Sequence, residues 1–163
     1  MDQVVNCAPL TRLDGGGGGD SDMIVQSPKQ ILLLSEEWMD VARRIYIDGK
    51  HPTQLKPQPN GHSIGHWEGN ALIVDTVGYS DKDGKDIGQH VVERWTRDGD
   101  KLTSKATVTD KTGKSTQRTF TWTQEKGLQY NESVCEEAYD RFQYVNGQLV
   151  DTNTADQATR SSP

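Results

Sequence analysis

The sequence predicts an all-β fold: an antiparallel up-and-down meander of about eight strands, closed into a lipocalin-like (calycin-type) barrel, with a short C-terminal helix. Three observations carry that reading. Runs rich in Val, Ile, Thr and aromatic residues recur at the roughly 8–12-residue spacing of short strands. Turn-forming groups separate them, among them Asp48-Gly49, Asp98-Gly99-Asp100 and Lys111-Thr112-Gly113-Lys114. Helical periodicity is weak everywhere, with Cys135–Tyr144 the best candidate for one short helix.

Taken in order, residues 1–22 form an N-terminal arm that ends in the glycine-rich "LDGGGGGDSD" of 13–22. Such a stretch has nothing to bury, and its five consecutive glycines, Gly15–Gly19, read as a flexible loop, natural or engineered. A single β-barrel domain is expected over 23–150. "MIVQS" and "QILLLSE" flank Pro28-Lys29, and "DVARRIYID" stops at Asp48-Gly49. "NALIVDTVGYS" is apolar on both faces, as a central strand would be. "HVVERWTR" and "KLTSKATVTD" meet at Asp98-Gly99-Asp100, the strongest hairpin signal in the chain. "STQRTFTWTQ" and "LQYNESVCEE" complete the series, and the polar 151–163 reads as a disordered tail.

Composition narrows the function classes. With 163 residues the chain is one domain by length, yet only 32% of it is hydrophobic, so any core is thin or partly polar. A net charge of −6 argues against nucleic acid, whose phosphates require a basic surface. The longest apolar run, "ILLL" at 31–34, is strand-sized, so membrane insertion is not expected. "MDQVVNCAPL" lacks a basic stretch followed by an apolar one and does not read as a signal peptide. Cys7 and Cys135 could form a disulfide or remain two buried thiols.

Period-two alternation assigns faces. Leu102, Ser104, Ala106 and Val108 fall on one face, as do Val91, Glu93 and Trp95. Val41, Arg43, Ile45 and Ile47 form a third set, Thr116, Arg118, Phe120 and Trp122 a fourth, and Leu128, Tyr130, Glu132 and Val134 a fifth. Arg43, Glu93, Arg118 and Glu132 are thereby expected to converge inside the barrel, walled by Trp95, Phe120, Trp122 and Tyr130. Buried charges must pair, so the set is either a structural network or the polar floor of a ligand cavity. The cavity is the expectation.

In "GHSIGHWEGNALIVDTVGYS" (61–80), Gly61 and Gly65 suggest a permissive loop, and Glu68-Gly69-Asn70 a tight turn before the strand. Asp75 shares a face with Ala71, Ile73, Val77 and Tyr79 and is expected to be buried, where a carboxylate needs a partner. His62 and His66 share a face and could bind a metal with His51 or Glu68. No third ligand stands at a recognised spacing, so no metal and no cofactor is expected. Ser63 beside His62 lacks the strand–turn–helix context of a nucleophile elbow.

"RRIYIDGKHP" (43–52), "GHSIGHWEGNALIVDTVGYSD" (61–81), "ER" (93–94) and "VCEE" (134–137) together resemble a large family of uncharacterised, typically exported bacterial proteins. Its hallmark reads approximately G-H-S-x-G-x-W-E-G-D-T-L-V-V-D-T-x-G, and the resemblance covers about residues 23–138. Asn70 and Ala71 depart from the usual Asp and Thr, and the position of His66 often carries Arg. The resemblance implies that Cys7 and Cys135 match cysteines common in exported members, which favours a disulfide and a periplasmic or secreted origin.

The function expected from these residues is a metal-free enzyme acting on a small, partly apolar, oxygenated or anionic substrate: an isomerase, lyase or cyclase. His62, Asp75, Glu93 and Glu132 are the acid–base candidates, and Arg43, Arg118, Trp95, Phe120, Trp122 and Tyr130 would hold the substrate. The alternatives are a lipocalin-like carrier that binds a ligand without turnover, and a scaffold whose interior charges pair only with each other. Exposed edge strands would permit a homodimer.

Overall fold

Val-, Ile- and Thr-rich segments extend and pair with their neighbours along the chain, and here they do so seven times in succession. The computed structural model describes residues 22–35, 42–127, 142–145 and 148–151. Its strands are β1 (Asp22–Gln26), β2 (Gln30–Ser35), β3 (Arg43–Ile47), β4 (His62–Glu68), β5 (Ala71–Val77), β6 (His90–Asp98), β7 (Lys101–Thr109) and β8 (Ser115–Thr123). These eight form one curled, half-barrel sheet in chain order. A separate two-stranded sheet pairs β9 (Phe142–Val145) with β10 (Gln148–Asp151). Among the described residues all regular structure is strand, and no pairing joins β8 back to β1. Of the helix expected over 135–144, residues 135–141 lie outside the described residues, and Phe142–Tyr144 belong to β9.

The hairpins follow their turn chemistry. Gly69 and Gly99, both with φ near +60°, open the two-residue loops of β4–β5 and β6–β7, which close on the pairs Glu68–Ala71 and Asp98–Lys101. Ser27 Oγ donates to the Gln30 carbonyl (3.0 Å) and accepts from its N–H (3.1 Å), fixing the β1–β2 turn around Pro28.

One step breaks the expected antiparallel pattern: β3 and β4 are parallel, with Ile45 opposite Ser63 and Ile47 opposite Gly65. A parallel return needs a crossover of a dozen or so residues, and 48–61 supplies it. The crossover begins where Asp48, at φ +54°, bonds its N–H to the Gly65 carbonyl (2.8 Å). It ends beside Gly78, where the Gln58 N–H reaches the Gly78 carbonyl at 3.0 Å. The segment read as a loop, 61–67, is therefore mostly strand, and Gly65 is required there by space. A Cβ at Gly65 would lie 2.9 Å from Ile45 Cγ2.

The inner face of the sheet carries the core. Ile31, Leu33, Ile45, Leu72, Val74 and Trp95 pack as one cluster, and Tyr79, Val91, Ala106 and Val108 as a second. The alternation read for β6 and β7 holds, with Leu102 partly buried against the first cluster. Tyr79 is the exception to the faces read for β5. Gly78, at φ +71°, turns the chain over after Val77, so Tyr79 leaves the face of Asp75 and is buried with Val91. On β8, the last strand of the sheet, the register puts Arg118 opposite Ala106 on the inner face. Its side chain is nevertheless exposed, because no further strand covers it among the described residues.

Candidate functional site

The strands β4 and β5 present polar groups on both faces, and adjacent residues feed opposite clusters. Ser63 and Thr76, paired across the two strands, point inward, while His62 and Asp75 point outward.

The inner cluster is centred on Arg43 and Glu93, which are only 4% and 3% exposed. Arg43 Nη1 donates to Glu93 Oε1 (3.2 Å), and Nη2 pairs with Glu93 Oε2. Arg43 Nη2 also donates to Thr76 Oγ1 (3.0 Å) and Nε to Ser63 Oγ (3.3 Å), while the two hydroxyls bond each other at 2.8 Å. Four of the five guanidinium N–H groups are thereby used. Glu93 Oε1 additionally accepts from Trp95 Nε1 (3.2 Å) and Ser104 Oγ (3.4 Å). Burial by itself pulls the Arg43 guanidinium down. The Glu93 carboxylate opposes this through both its charge and its hydrogen bonds, and the group is held above its ordinary value. Burial raises the Tyr79 phenol, so it stays a neutral neighbour. This circuit is closed: its charges are matched and its bonding capacity is largely spent.

The outer cluster is an open chain of four side chains. His51, from the crossover, places Nδ1 at 2.9 Å from His62 Nδ1 and Nε2 at 3.0 Å from Asp75 Oδ1. His90, from the start of β6, places Nε2 at 3.1 Å from Asp75 Oδ2. Tyr46 stacks on the His62 ring with centroids 5.1 Å apart. Side-chain exposures of 23% for His51, 39% for Asp75 and 47% for His90 put the chain at the surface without burying it.

The proton positions follow from the partners. A carboxylate only accepts, so both His51 Nε2 and His90 Nε2 carry hydrogens toward Asp75. Neutral His51 then has a bare Nδ1, and His62 Nδ1–H donates to it, leaving the lone pair of His62 on Nε2. Burial, then the neighbouring His51, lowers the His62 imidazole below its ordinary value, which keeps it neutral near pH 7 with the Nε2 lone pair free of a proton.

The residues singled out in the sequence thus separate. His62 and Asp75 come together through His51, on the face opposite Glu93. Asp75 has its partners but is not buried. Arg43, Glu93 and Trp95 join as expected, and Trp122 stacks on Trp95 with centroids 5.5 Å apart, with Phe120 beside it at 6.3 Å. Tyr130, Glu132, Cys7 and Cys135 lie outside the described residues. His66 turns away from the cluster to Glu68 (3.4 Å), which also accepts from Arg94 at 2.9 Å. Among the described residues no group of three or more His, Cys, Asp or Glu side chains is arranged to hold a metal ion.

Sequence reasoning missed His90 and Tyr46 and weighed His51 only as a ligand. The signal for His90 was available, since it opens a strand that pairs with β5 and falls on the outer face. The signal for His51 was not, because only the parallel crossover carries it over β4. Compared with known protein families, with curated proteins and with solved structures, the chain matches none.

Proposed function

We propose that the protein is a small-molecule enzyme that moves protons by general acid–base catalysis, of isomerase, lyase or cyclase type, with its reacting groups in the outer cluster. The observation that carries this reading is the series Asp75–His51–His62, in which each hydrogen bond fixes the tautomer of the next ring and leaves one basic nitrogen at the end. His62 Nε2 takes the proton from the substrate. The imidazolium formed is held by the His51 lone pair, whose ring is anchored in turn by the Asp75 carboxylate. His51 and Asp75 are positioning residues, and Tyr46 fixes the plane of the base by stacking on it. Glu93, expected as an acid–base group, is assigned here to structure, because Arg43, Trp95 and Ser104 already occupy its oxygens.

The sheet is read further as part of a lipocalin-like barrel. Met23, Ile24 and Val25 are exposed on β1, and Phe120 and Trp122 are half-buried on β8, so both outermost strands carry apolar side chains that barrel closure would cover. The stacked Trp95–Trp122 pair with Phe120 favours a second reading, a carrier that holds an apolar or aromatic ligand on the inner face.

The ring opening of 5-nitrobenzisoxazole, which is limited by proton abstraction, tests the first reading. The native protein should accelerate it, His62→Gln should return it to the buffer rate, and Asp75→Asn should slow it by about tenfold or more. Full activity in a folded His62→Gln variant would overturn the proposal. Saturable quenching of tryptophan fluorescence by an aromatic ligand, without any proton transfer, would support the carrier instead.

A further inference from the structure

The crossover is the least regular part of the described sheet, and one polar contact chain holds its first half to the strands beneath. Its far end is fastened by main-chain bonds: Gln58 donates to the Gly78 carbonyl (3.0 Å), and Ser80 donates to the Gln58 carbonyl (2.9 Å). At its near end Asp48 bonds the Gly65 carbonyl. Between them, the side-chain hydrogen bonds that tie the crossover to the sheet among the described residues are those of His51, to His62 of β4 and Asp75 of β5.

The His51–His62 contact joins two Nδ1 atoms at 2.9 Å, and that geometry works with one hydrogen between them. With both rings protonated, each Nδ1 carries a hydrogen pointed at the other. The bond is replaced by repulsion between two cations in contact. The groups that face His62 come from several elements. From β3 come the Tyr46 ring and, on the same face, the Arg44 cation. From the crossover comes His51. The β5 carboxylate Asp75 reaches His62 only through His51, and the β6 imidazole His90 only through Asp75. The single anion in this set bonds His51 and His90 and not His62, so a charge gained by His62 has no carboxylate against it.

We propose that the His51–His62 pair is a proton-sensitive latch that holds the crossover 48–61 against the sheet near neutral pH and releases its central part in mild acid. The burial and the neighbouring charge that lower the His62 imidazole act in the same direction, because they make its protonation costly while the latch is closed. The inference does not depend on catalysis by His62, since a latch needs only the shared hydrogen. Its biological content is a surface that opens to solvent when the compartment acidifies.

Hydrogen–deuterium exchange of the native chain at pH 7.5 and pH 5.0, corrected for intrinsic rates, tests the latch. Amides of 48–57 should exchange about tenfold faster at the lower pH relative to those of the β6–β7 hairpin. His62→Phe keeps the stack on Tyr46 without a titrating nitrogen and should abolish the pH dependence. Equal pH responses in crossover and hairpin overturn the proposal, and so does a native response retained by His62→Phe. Nitrogen chemical shifts of the native protein at pH 7.5 give a check free of mutation. His51 should be the Nε2–H tautomer and His62 the Nδ1–H tautomer, and two Nε2–H rings would refute the latch. These readouts register neither turnover nor its absence, so the latch and the catalytic reading fail separately.

Discussion

The inner and outer faces of the β4–β5 hairpin carry polar clusters of opposite character. Inside, a guanidinium and a carboxylate are buried, bonded to each other and surrounded by hydroxyl and indole donors. Outside, one carboxylate is shared by two imidazoles, and a third imidazole extends the chain to a nitrogen with no partner required of it. The difference teaches what buried charge is for. A closed circuit stabilises one arrangement and has nothing left to offer a substrate. An open chain at the surface contributes little to folding but has a lone pair to give.

The largest effect expected from breaking this contrast is inside. Glu93→Ala leaves Arg43 buried without a counter-charge and should destabilise the fold by about 3–5 kcal/mol, read from urea denaturation. The paired change Arg43→Met with Glu93→Leu removes both charges together and should cost much less than Glu93→Ala alone. If the two variants are equally damaged, the inner circuit is not held by charge pairing and the comparison loses one side.

Next comes the residue that carries the chain from the outer face to the inner one. Gly78→Ala would place a Cβ 2.4 Å from Leu55 Cδ2 at a backbone φ of +71°. Overpacking and the left-handed conformation each cost about 1–2 kcal/mol, so the midpoint of denaturation should fall clearly, though less than for Glu93→Ala. Gly69→Ala has an equally left-handed φ but nothing within 4 Å of the new Cβ. It should lose less, and the gap between the two variants isolates the contact with Leu55.

Outside, stability and activity should part company. Asp75→Asn and His62→Gln should each change folding stability by less than about 1 kcal/mol, as expected for partly exposed groups, while abolishing or strongly slowing proton transfer. A large stability loss in either would show that the outer cluster is structural too.

Much of this architecture was legible in the sequence, and the reasons differ by residue. The inward sets Val91, Glu93, Trp95 and Leu102, Ser104, Ala106, Val108 could be read because a strand inside a sheet shows its faces as simple alternation. The pairing of Arg43 with Glu93 could be anticipated because two buried charges of opposite sign need each other. Arg118 shares the register but not the burial, and alternation does not say which strand lies at an edge. Tyr79 changed faces at one left-handed glycine, a backbone event with no side-chain signature. The outer cluster was half visible. His62 and Asp75 lie on neighbouring paired strands, but His51 joins them only through a parallel crossover, and local sequence specifies that a strand forms without specifying the direction of its partner.

The smallest expected effect, the pH dependence of folding, separates the two faces most cleanly. Arg43 is held above its ordinary value, so its contribution is fully present below that value and would be lost only in strong alkali. His62 is held below its ordinary value of 6.5, so the unfolded chain binds the proton more readily than the folded one. Its contribution is present above pH 6.5 and is lost as pH falls through the lowered folded value. The native protein should therefore show a shallow decline in denaturation midpoint below pH 6.5, superimposed on the titration of its carboxylates. His62→Phe should remove that decline and leave the carboxylate part. The paired Arg43→Met, Glu93→Leu variant should retain it, because His62 and its partners on the outer face are left in place. A decline that follows the inner variant instead of the outer one would reverse the assignment of the two clusters.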